Sequence, residues 1–472
     1  MRESIIYSTE KHNSYLYDTE HMLQMLIHPE LEKADKEKFD VDPYYLKKYN
    51  YLKKHGFFKS NPVEFDITIN ESEIEDKLKQ IKEIVFETTD YCNLKCKYCS
   101  LGDLYDGFNK KDPKNINLQH AKRLLEYIFH IKSPKTKLTI AFFGGEALLN
   151  IRFIKKIVQF VKQINNEKKL IIRFNMVTNA TLLDKHIHFL IENDFSLLVS
   201  LDGNEYNHSY RTFNKNKKNS FKKVIANLDM VQNNYSEYFI NKIKFNSVLH
   251  NRNSVKDIYE FIYNRYNKLP RIAELNTEFI SPSKKEIYKN MFHDKRESEE
   301  KFQSDNSNSI PILPINSTIY LELKYFIQYD SINFYVSNLL HLFQEKIKTT
   351  PSNTCIPFTK NIFLSTHSYI YPCENIKNKY FLGKIDNNNI IINIPEIVQK
   401  YKSCLEHLKD LCQNCYSVRS CNVCMYNIVN LDKSPDLKAE CLKFQDKKNY
   451  IKKMHQIFSF VEKYPDYITH II

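Results

Sequence analysis

No apolar run in this 472-residue sequence approaches the ~18 residues that cross a bilayer, which excludes a helical membrane anchor. The N-terminal stretch lacks the apolar core of a signal peptide, and the expectation is a cytoplasmic protein. No solenoid-type repeat is present, so a stacked-repeat architecture is excluded. Cysteine is absent from residues 100–354, although the chain has eleven. Three of these lie within 92–99 and the other eight between 355 and 441. A reducing compartment argues against disulfides. Thiols acting as small core hydrophobes would scatter, whereas bunched ones read as metal or iron–sulfur ligands. Glycine is scarce as well, so among only seven an adjacent pair at 144–145 is informative.

What is present points to a folded chain of two or three domains, with 42% hydrophobic residues. The formal charge of +13 admits an acidic partner or nucleic acid. Lys and Glu are interleaved almost everywhere, however, which favours solvated faces over a nucleic-acid surface.

The periodicity divides the chain into five parts. Residues 1–80 read as a separate module ordered strand, helix, helix, strand, as in a winged helix. Its strand is at 15–18, an apolar stretch follows at 21–28, and a helix capped by Asp42-Pro43 carries Tyr45, Tyr49 and Leu52 on one face and stops at Gly56. Phe57, Phe58 and Phe65–Ile69 are its expected returning strands. From 81 to 290, strands alternate with amphipathic helices. Strands are expected at 83–88, 137–143, 170–177, 195–200, 242–249 and 272–280. Helices are expected at 119–130, 150–161, 183–191, 221–231 and 255–263. That rhythm predicts parallel βα units and a partial six-unit TIM-like barrel, with active residues at the C-terminal strand ends. Residues 291–350 read as a polar linker, 291–317, followed by helical pattern. Residues 351–450 hold the second cysteine block, and 451–472 a closing helix.

The chemistry starts with Cys92-x3-Cys96-x2-Cys99, directly after the first barrel strand. Three thiolates on one loop hold three corners of a cubane iron–sulfur cluster, and the next cysteine is Cys355. One iron is then left open, as a catalytic site requires. A zinc knuckle is the alternative, but it wants a fourth local ligand, and His120 and His130 lie on the following helix. Gly144-Gly145-Glu146 ends the second strand. Its glycines permit close backbone approach and its carboxylate suits an ammonium. Thr178-Asn179-Ala180 follows the third strand, and Ser200-x-Asp202-Gly203 with Arg211 follows the fourth. An ordinary capped turn and a solvated arginine are the plain alternatives for these two.

The three-cysteine loop resembles the signature of the radical S-adenosylmethionine (SAM) superfamily. The resemblance extends from about 82 to 445. It implies that Cys92, Cys96 and Cys99 carry the catalytic [4Fe–4S] cluster. Tyr98 would lie beside the adenine of SAM. Gly144, Gly145 and Glu146 would hold its methionyl amine, and Thr178 and Asn179 would belong to the same pocket, although the family has glycine where Ala180 stands. Ser200, Asp202 and Arg211 match a subfamily pattern that contacts the ribose and carboxylate. In the family, cleavage of SAM yields a 5′-deoxyadenosyl radical that abstracts hydrogen.

The C-terminal block resembles the SPASM domain of peptide-modifying radical enzymes, which holds two auxiliary [4Fe–4S] clusters. Positional match assigns Cys412, Cys415, Cys421 and Cys441 to one and Cys355, Cys373 and Cys424 to the other, with Cys404 spare. Departures are the x2 spacing before Cys424, Ser368 where glycine is expected, and a missing extra cysteine after the first. A zinc ribbon is the alternative. The N-terminal module resembles the winged-helix peptide-recognition element of peptide maturases, in which a leader peptide adds a strand to a sheet edge. A generic helical extension is the alternative. The implied function is modification of a ribosomally made peptide by a thioether or carbon–carbon crosslink, with flavodoxin or ferredoxin as electron donor and no nucleic acid or membrane partner. An anaerobic sulfatase maturase and a non-enzymatic zinc module are the competing readings.

Overall fold

Alternation along the first strands decides how the N-terminal region packs. β1 (Ile5–Ser8), β2 (Ser14–Asp18) and β3 (Leu23–Ile27) form an antiparallel sheet in that order. The structure is a computed structural model that describes every residue except 1, 20–21, 38–39, 57–62, 107–112, 305–316, 332–348, 377–379, 388, 432–437 and 471–472. Ile6, Leu16 and Ile27 point to one face and pack on Leu31, Ala34 and Tyr49 of the helices Pro29–Asp35 and Pro43–Lys54. Ile5, Tyr7 and Tyr17 point to the other and join Tyr450, Met454, Ile457 and Phe458 of the helix Lys447–Lys463. Leu323 and Phe326, in and just after the helix Thr318–Tyr325, complete that core. Both faces of the sheet are covered, and β3 is an edge strand.

This region differs from the expected strand–helix–helix–strand order. The apolar stretch at 21–28 contains a strand, because five apolar residues are too few for periodicity to separate strand from helix. The helix after Asp42 forms as expected, with the Asp42 carboxylate accepting from the Tyr44 amide at 2.8 Å. Phe57 and Phe58 lie outside the described residues, and Phe65–Ile69 makes only an isolated bridge from Phe65 to Thr349. Nor does the module stand apart. Met1–Ile69, Pro311–Thr354 and Gln399–Ile472 form one compact unit.

The second unit comprises Asn70–Ile310 and Cys355–Val398. Its six parallel strands are β4 (Glu83–Glu87), β6 (Lys137–Phe143), β7 (Ile171–Thr178), β8 (Ser196–Ser200), β10 (Ile243–Val248) and β11 (Arg271–Ala273). They lie side by side in sequence order. β5 (Leu94–Cys96) and β9 (Arg211–Phe213) form a separate antiparallel pair. β12 (Asn361–Leu364) adds in parallel beside β4, and β13 (Tyr369–Tyr371), β14 (Gly383–Asp386) and β15 (Asn389–Ile392) continue the sheet antiparallel. The mixed sheet is therefore longer than the six strands expected. Part of the second cysteine block, with Cys355 and Cys373, belongs to this unit.

Parallel strands are usually buried on both faces. Here one face is buried and the other is not. Leu138, Ile140 and Phe142 on β6, Phe174 and Met176 on β7, and Leu197 and Val199 on β8 are buried. The alternate positions Thr139, Asn175, Ser196, Ser200 and Asn246 are only half-buried. The same half-open face also carries the apolar Ala141, Phe143, Val177, Leu198 and Val248. Two further expectations need correction. The sixth strand stops at Ala273, where its register with β10 ends. The 291–317 linker contains the helix Lys295–Ser304. That helix is carried by Lys295–Glu299, Arg296–Glu300 and Glu297–Lys301 pairs one turn apart, which an apolar-periodicity reading does not register.

Candidate functional site

β4 ends at Glu87, and the chain runs through Thr88–Tyr91 into the three-cysteine loop. This linker is gripped by the end of β6. The Gly145 amide donates to the Thr89 carbonyl at 2.8 Å, and the Glu146 amide to that of Tyr91 at 2.9 Å. A Cβ on Gly144 would strike the Thr89 oxygen, and one on Gly145 the Tyr91 oxygen. Gly144 also has φ 140°. The scarce glycines therefore let two backbone segments meet.

Beyond Cys92, β5 pairs with β9 and sets Cys96 opposite Arg211. Burial pushes the Cys92 and Cys96 thiols up to about 12, and Cys92, Cys96 and Cys99 lie within electrostatic reach of one another. Two donors face Cys92 Sγ, the Leu94 amide at 3.4 Å and Asn179 Nδ2 at 3.9 Å. Buried thiols that repel one another as thiolates ionise when a cationic centre binds them. Among the described residues, no three His, Cys, Asp or Glu side chains converge tightly enough to hold a single metal ion. An all-thiol donor set on one loop suits an iron–sulfur cluster.

Glu146 is buried, and that burial raises its pKa. Its Oε1 accepts from Thr178 Oγ1 at 2.7 Å and from the Leu148 amide at 3.1 Å, and its Oε2 from the Asn179 amide at 2.7 Å. It thus ties the end of β6 to the end of β7. Asn179 Nδ2 in turn donates to Asn93 Oδ1 at 2.9 Å, and Asn93 Nδ2 to Thr181 Oγ1 at 2.8 Å. Ala180, where the family pattern has glycine, adopts φ 62°.

Asp202 is the hub of the opposite side. Arg211 forks onto it, with Nε to Oδ2 at 2.9 Å and an Nη to Oδ1 at 3.0 Å. The Val248 amide donates to Oδ1 at 3.0 Å, and the Tyr98 hydroxyl donates to Oδ2. Burial opposes ionisation of Asp202, but the Arg211 guanidinium outweighs it and holds the carboxyl far below the usual range. The Tyr98 ring stacks on His250 at 5.4 Å and lies 5.3 Å from the Arg211 guanidinium. Burial raises the Tyr98 hydroxyl and lowers His208 to about 3. Ser200 stands half-buried at the end of β8.

The predicted residues therefore gather into two connected groups. Cys92, Gly144, Gly145, Glu146, Thr178 and Asn179 form one, and Cys96, Tyr98, Asp202 and Arg211 the other. Sequence reasoning missed Asn93, Thr181 and His250. Asn93 was visible inside the cysteine loop, whereas His250 carries no motif. In the other unit, Cys412 lies in the last turn of the helix Ile394–Gln413 and feels Cys421, Cys415 and Cys441 electrostatically. Burial pushes the Cys412 thiol up to about 12. Cys404 lies half-buried on the same helix. Cys424 belongs to this unit, and Cys355 and Cys373 to the sheet unit.

Residues 86–262 match the Radical SAM superfamily. A cysteine-type anaerobic sulfatase-maturating enzyme of Clostridium novyi is 30% identical over 167 residues, 34% of this chain and 43% of that protein. The radical SAM cyclopropyl synthase TigE of Paramaledivibacter caminithermalis is 30% identical over 218 residues, 43% of each chain. The matched segment thus spans less than half the length of either relative. Among solved structures, native anSMEcpe with bound AdoMet superposes with a TM-score of 0.51 at 17% identity, covering 83% of this chain and 99% of that one. Its form with bound AdoMet and Kp18Cys peptide gives 0.50 at 15% identity, covering 82% and 98%. This likeness concerns the fold.

Proposed function

We propose that this chain, whose residues 86–262 match the Radical SAM superfamily, is an enzyme that cleaves SAM and modifies a ribosomally made peptide. The observation that carries the reading is a loop of three thiols with no fourth cysteine nearby in the sequence, in which Asn179 faces Cys92, Cys96 pairs opposite Arg211, Asn179 meets Glu146 and Arg211 forks onto Asp202. Cys92, Cys96 and Cys99 would hold a [4Fe–4S] cluster, and the chemistry it would supply there is the one-electron reductive cleavage of SAM. Tyr98 positions the adenine side of the cofactor pocket. Glu146, Thr178 and Asn179 form its amine side, and Ser200 its ribose side. Arg211 is held in orientation by Asp202. Cys412, Cys415, Cys421 and Cys441 would hold one auxiliary cluster. A flavodoxin or ferredoxin supplies the electron.

Two features favour a peptide substrate. The chain carries a second cysteine array, and its N-terminal sheet presents β3 as an edge to which an extended leader can add. Formation of formylglycine is the second reading, favoured by the similarity to the Clostridium novyi sulfatase-maturating enzyme. Anaerobic reconstitution with iron, sulfide and SAM tests the enzyme claim. Iron and sulfide should bind, and 5′-deoxyadenosine should form under reduction and vanish in Cys92→Ala. Zinc as the sole metal, with no sulfide and no 5′-deoxyadenosine, would falsify it. A cysteine-containing peptide offered to the active enzyme separates the two readings. Conversion of its cysteine to an aldehyde supports formylglycine formation, and a thioether or carbon–carbon crosslink supports the first.

A further inference from the structure

The linker into the cysteine loop is gripped from another side by a turn that the sequence marked only through Ser368. Ser365–Ser368 joins β12 to β13, the hairpin that leads on to Cys373. Thr366 Oγ1 donates to Asp90, 2.9 Å from Oδ1 and 3.0 Å from Oδ2, and the Thr366 amide donates to Glu87 Oε2 at 3.1 Å. His367 Nε2 stands 3.6 Å from Asp90 Oδ2. The turn is itself anchored, with Ser368 Oγ 2.6 Å from His120 Nδ1 on the helix Leu118–Ile131. Asp90 Oδ2 also accepts from the Lys114 amide at 2.9 Å, and the Asp90 amide donates to the Lys114 carbonyl at 2.9 Å.

We infer that Thr366 is a positioning residue for the first cysteine loop, fixing the linker Thr88–Tyr91 through Asp90 and Glu87 so that Cys92 and the cofactor pocket keep one geometry. The Gly144–Glu146 backbone holds Thr89 and Tyr91, Lys114 holds the Asp90 amide, and the Asp90 carboxylate is shared between the Lys114 amide and the Thr366 hydroxyl. Thr366 is the group that reaches both Asp90 and Glu87. A displacement of about 1 Å in such a support is enough to cost catalysis without touching a reacting atom. The inference rests on the radical SAM reading of the loop.

The test compares Thr366→Val, Thr366→Ser and Asp90→Asn with the wild type. Hydrogen exchange of residues 88–99 is read on the chain before reconstitution. The EPR change on adding SAM, and the KM for SAM against kcat for uncoupled 5′-deoxyadenosine formation, are read on the reconstituted enzyme. Thr366→Val keeps shape and loses the hydroxyl. It should speed exchange at 88–91, alter the SAM-dependent EPR spectrum and raise the KM by about tenfold, the scale of one hydrogen bond to a charged group. Thr366→Ser should restore all three, and Asp90→Asn should resemble Thr366→Val. If Thr366→Val matches the wild type in exchange, spectrum and KM, or Thr366→Ser is as impaired as Thr366→Val, the inference is wrong. A wild type that forms no 5′-deoxyadenosine overturns the radical SAM reading and this inference with it. An active wild type with unaltered variants overturns the inference alone.

Discussion

Single residues here do two jobs that a motif cannot separate. Glu146 was expected to meet an ammonium, yet its carboxylate already joins β6 to β7 through Thr178 and Asn179. Arg211 was expected at a carboxylate and is found forked onto Asp202. Glu87 is the clearest titrating group near the loop. Burial first and Asp90 second push it up to about 7, and Tyr371 and, behind Asp90, His367 are its other titratable neighbours. The folded chain holds this proton more tightly than the unfolded one. The associated stability is full below the ordinary carboxyl range near 4.5 and is lost as pH rises through about 7. Glu87→Gln, which cannot ionise, should gain about 1–3 kcal/mol on the wild type between pH 5 and pH 8. Denaturant titrations at the two pH values check this. The residues with chemistry were legible because cysteine spacing and a glycine pair in a glycine-poor chain are rare patterns. Ala180 shows the limit of pattern, since it adopts a left-handed conformation that favours glycine. Asp90, Thr366 and His250 were not legible, because their roles arise from contacts across 40 to 280 residues of chain.

At the scale of elements, the five helices that alternate with the parallel strands and the closing helix lie where apolar periodicity placed them. They could be read because each buries one stripe. What misled was any element whose pattern does not encode burial on one side: the short β3, the ion-paired helix Lys295–Ser304, and the strands β12–β15 hidden among cysteines. The closing helix is worth most to the N-terminal sheet. Phe458 is buried and meets the rings of Tyr7, Tyr15 and Phe326 at 5.7, 5.0 and 5.7 Å. Phe458→Ala should cost about 3–5 kcal/mol. The loss should appear as faster hydrogen exchange in β1 and β2 rather than in β6 and β7.

The whole molecule departs most from a linear reading of domains. The sequence suggested an N-terminal module that could be removed. Residues 1–69 instead share a core with 311–354 and 399–472, the unit that holds Cys412–Cys441. Deleting 1–69 strips Ile5, Tyr7 and Tyr17 from Tyr450, Met454 and Ile457. The expected result is loss of iron bound by the C-terminal cysteines and loss of helical circular dichroism, beyond any change in peptide affinity. Iron analysis of the truncated chain carrying Cys92→Ala, Cys96→Ala and Cys99→Ala isolates that loss from the first loop.

The same shared core sets a schedule for synthesis. Tyr17 leaves the ribosome well before Tyr450, its partner near the other end of the chain. At about 5–20 residues per second, the N-terminal sheet waits roughly 20–90 s for the helix that covers its second face. During that interval Ile5, Tyr7 and Tyr17 are exposed to solvent, and a nascent-chain chaperone would find its binding site there.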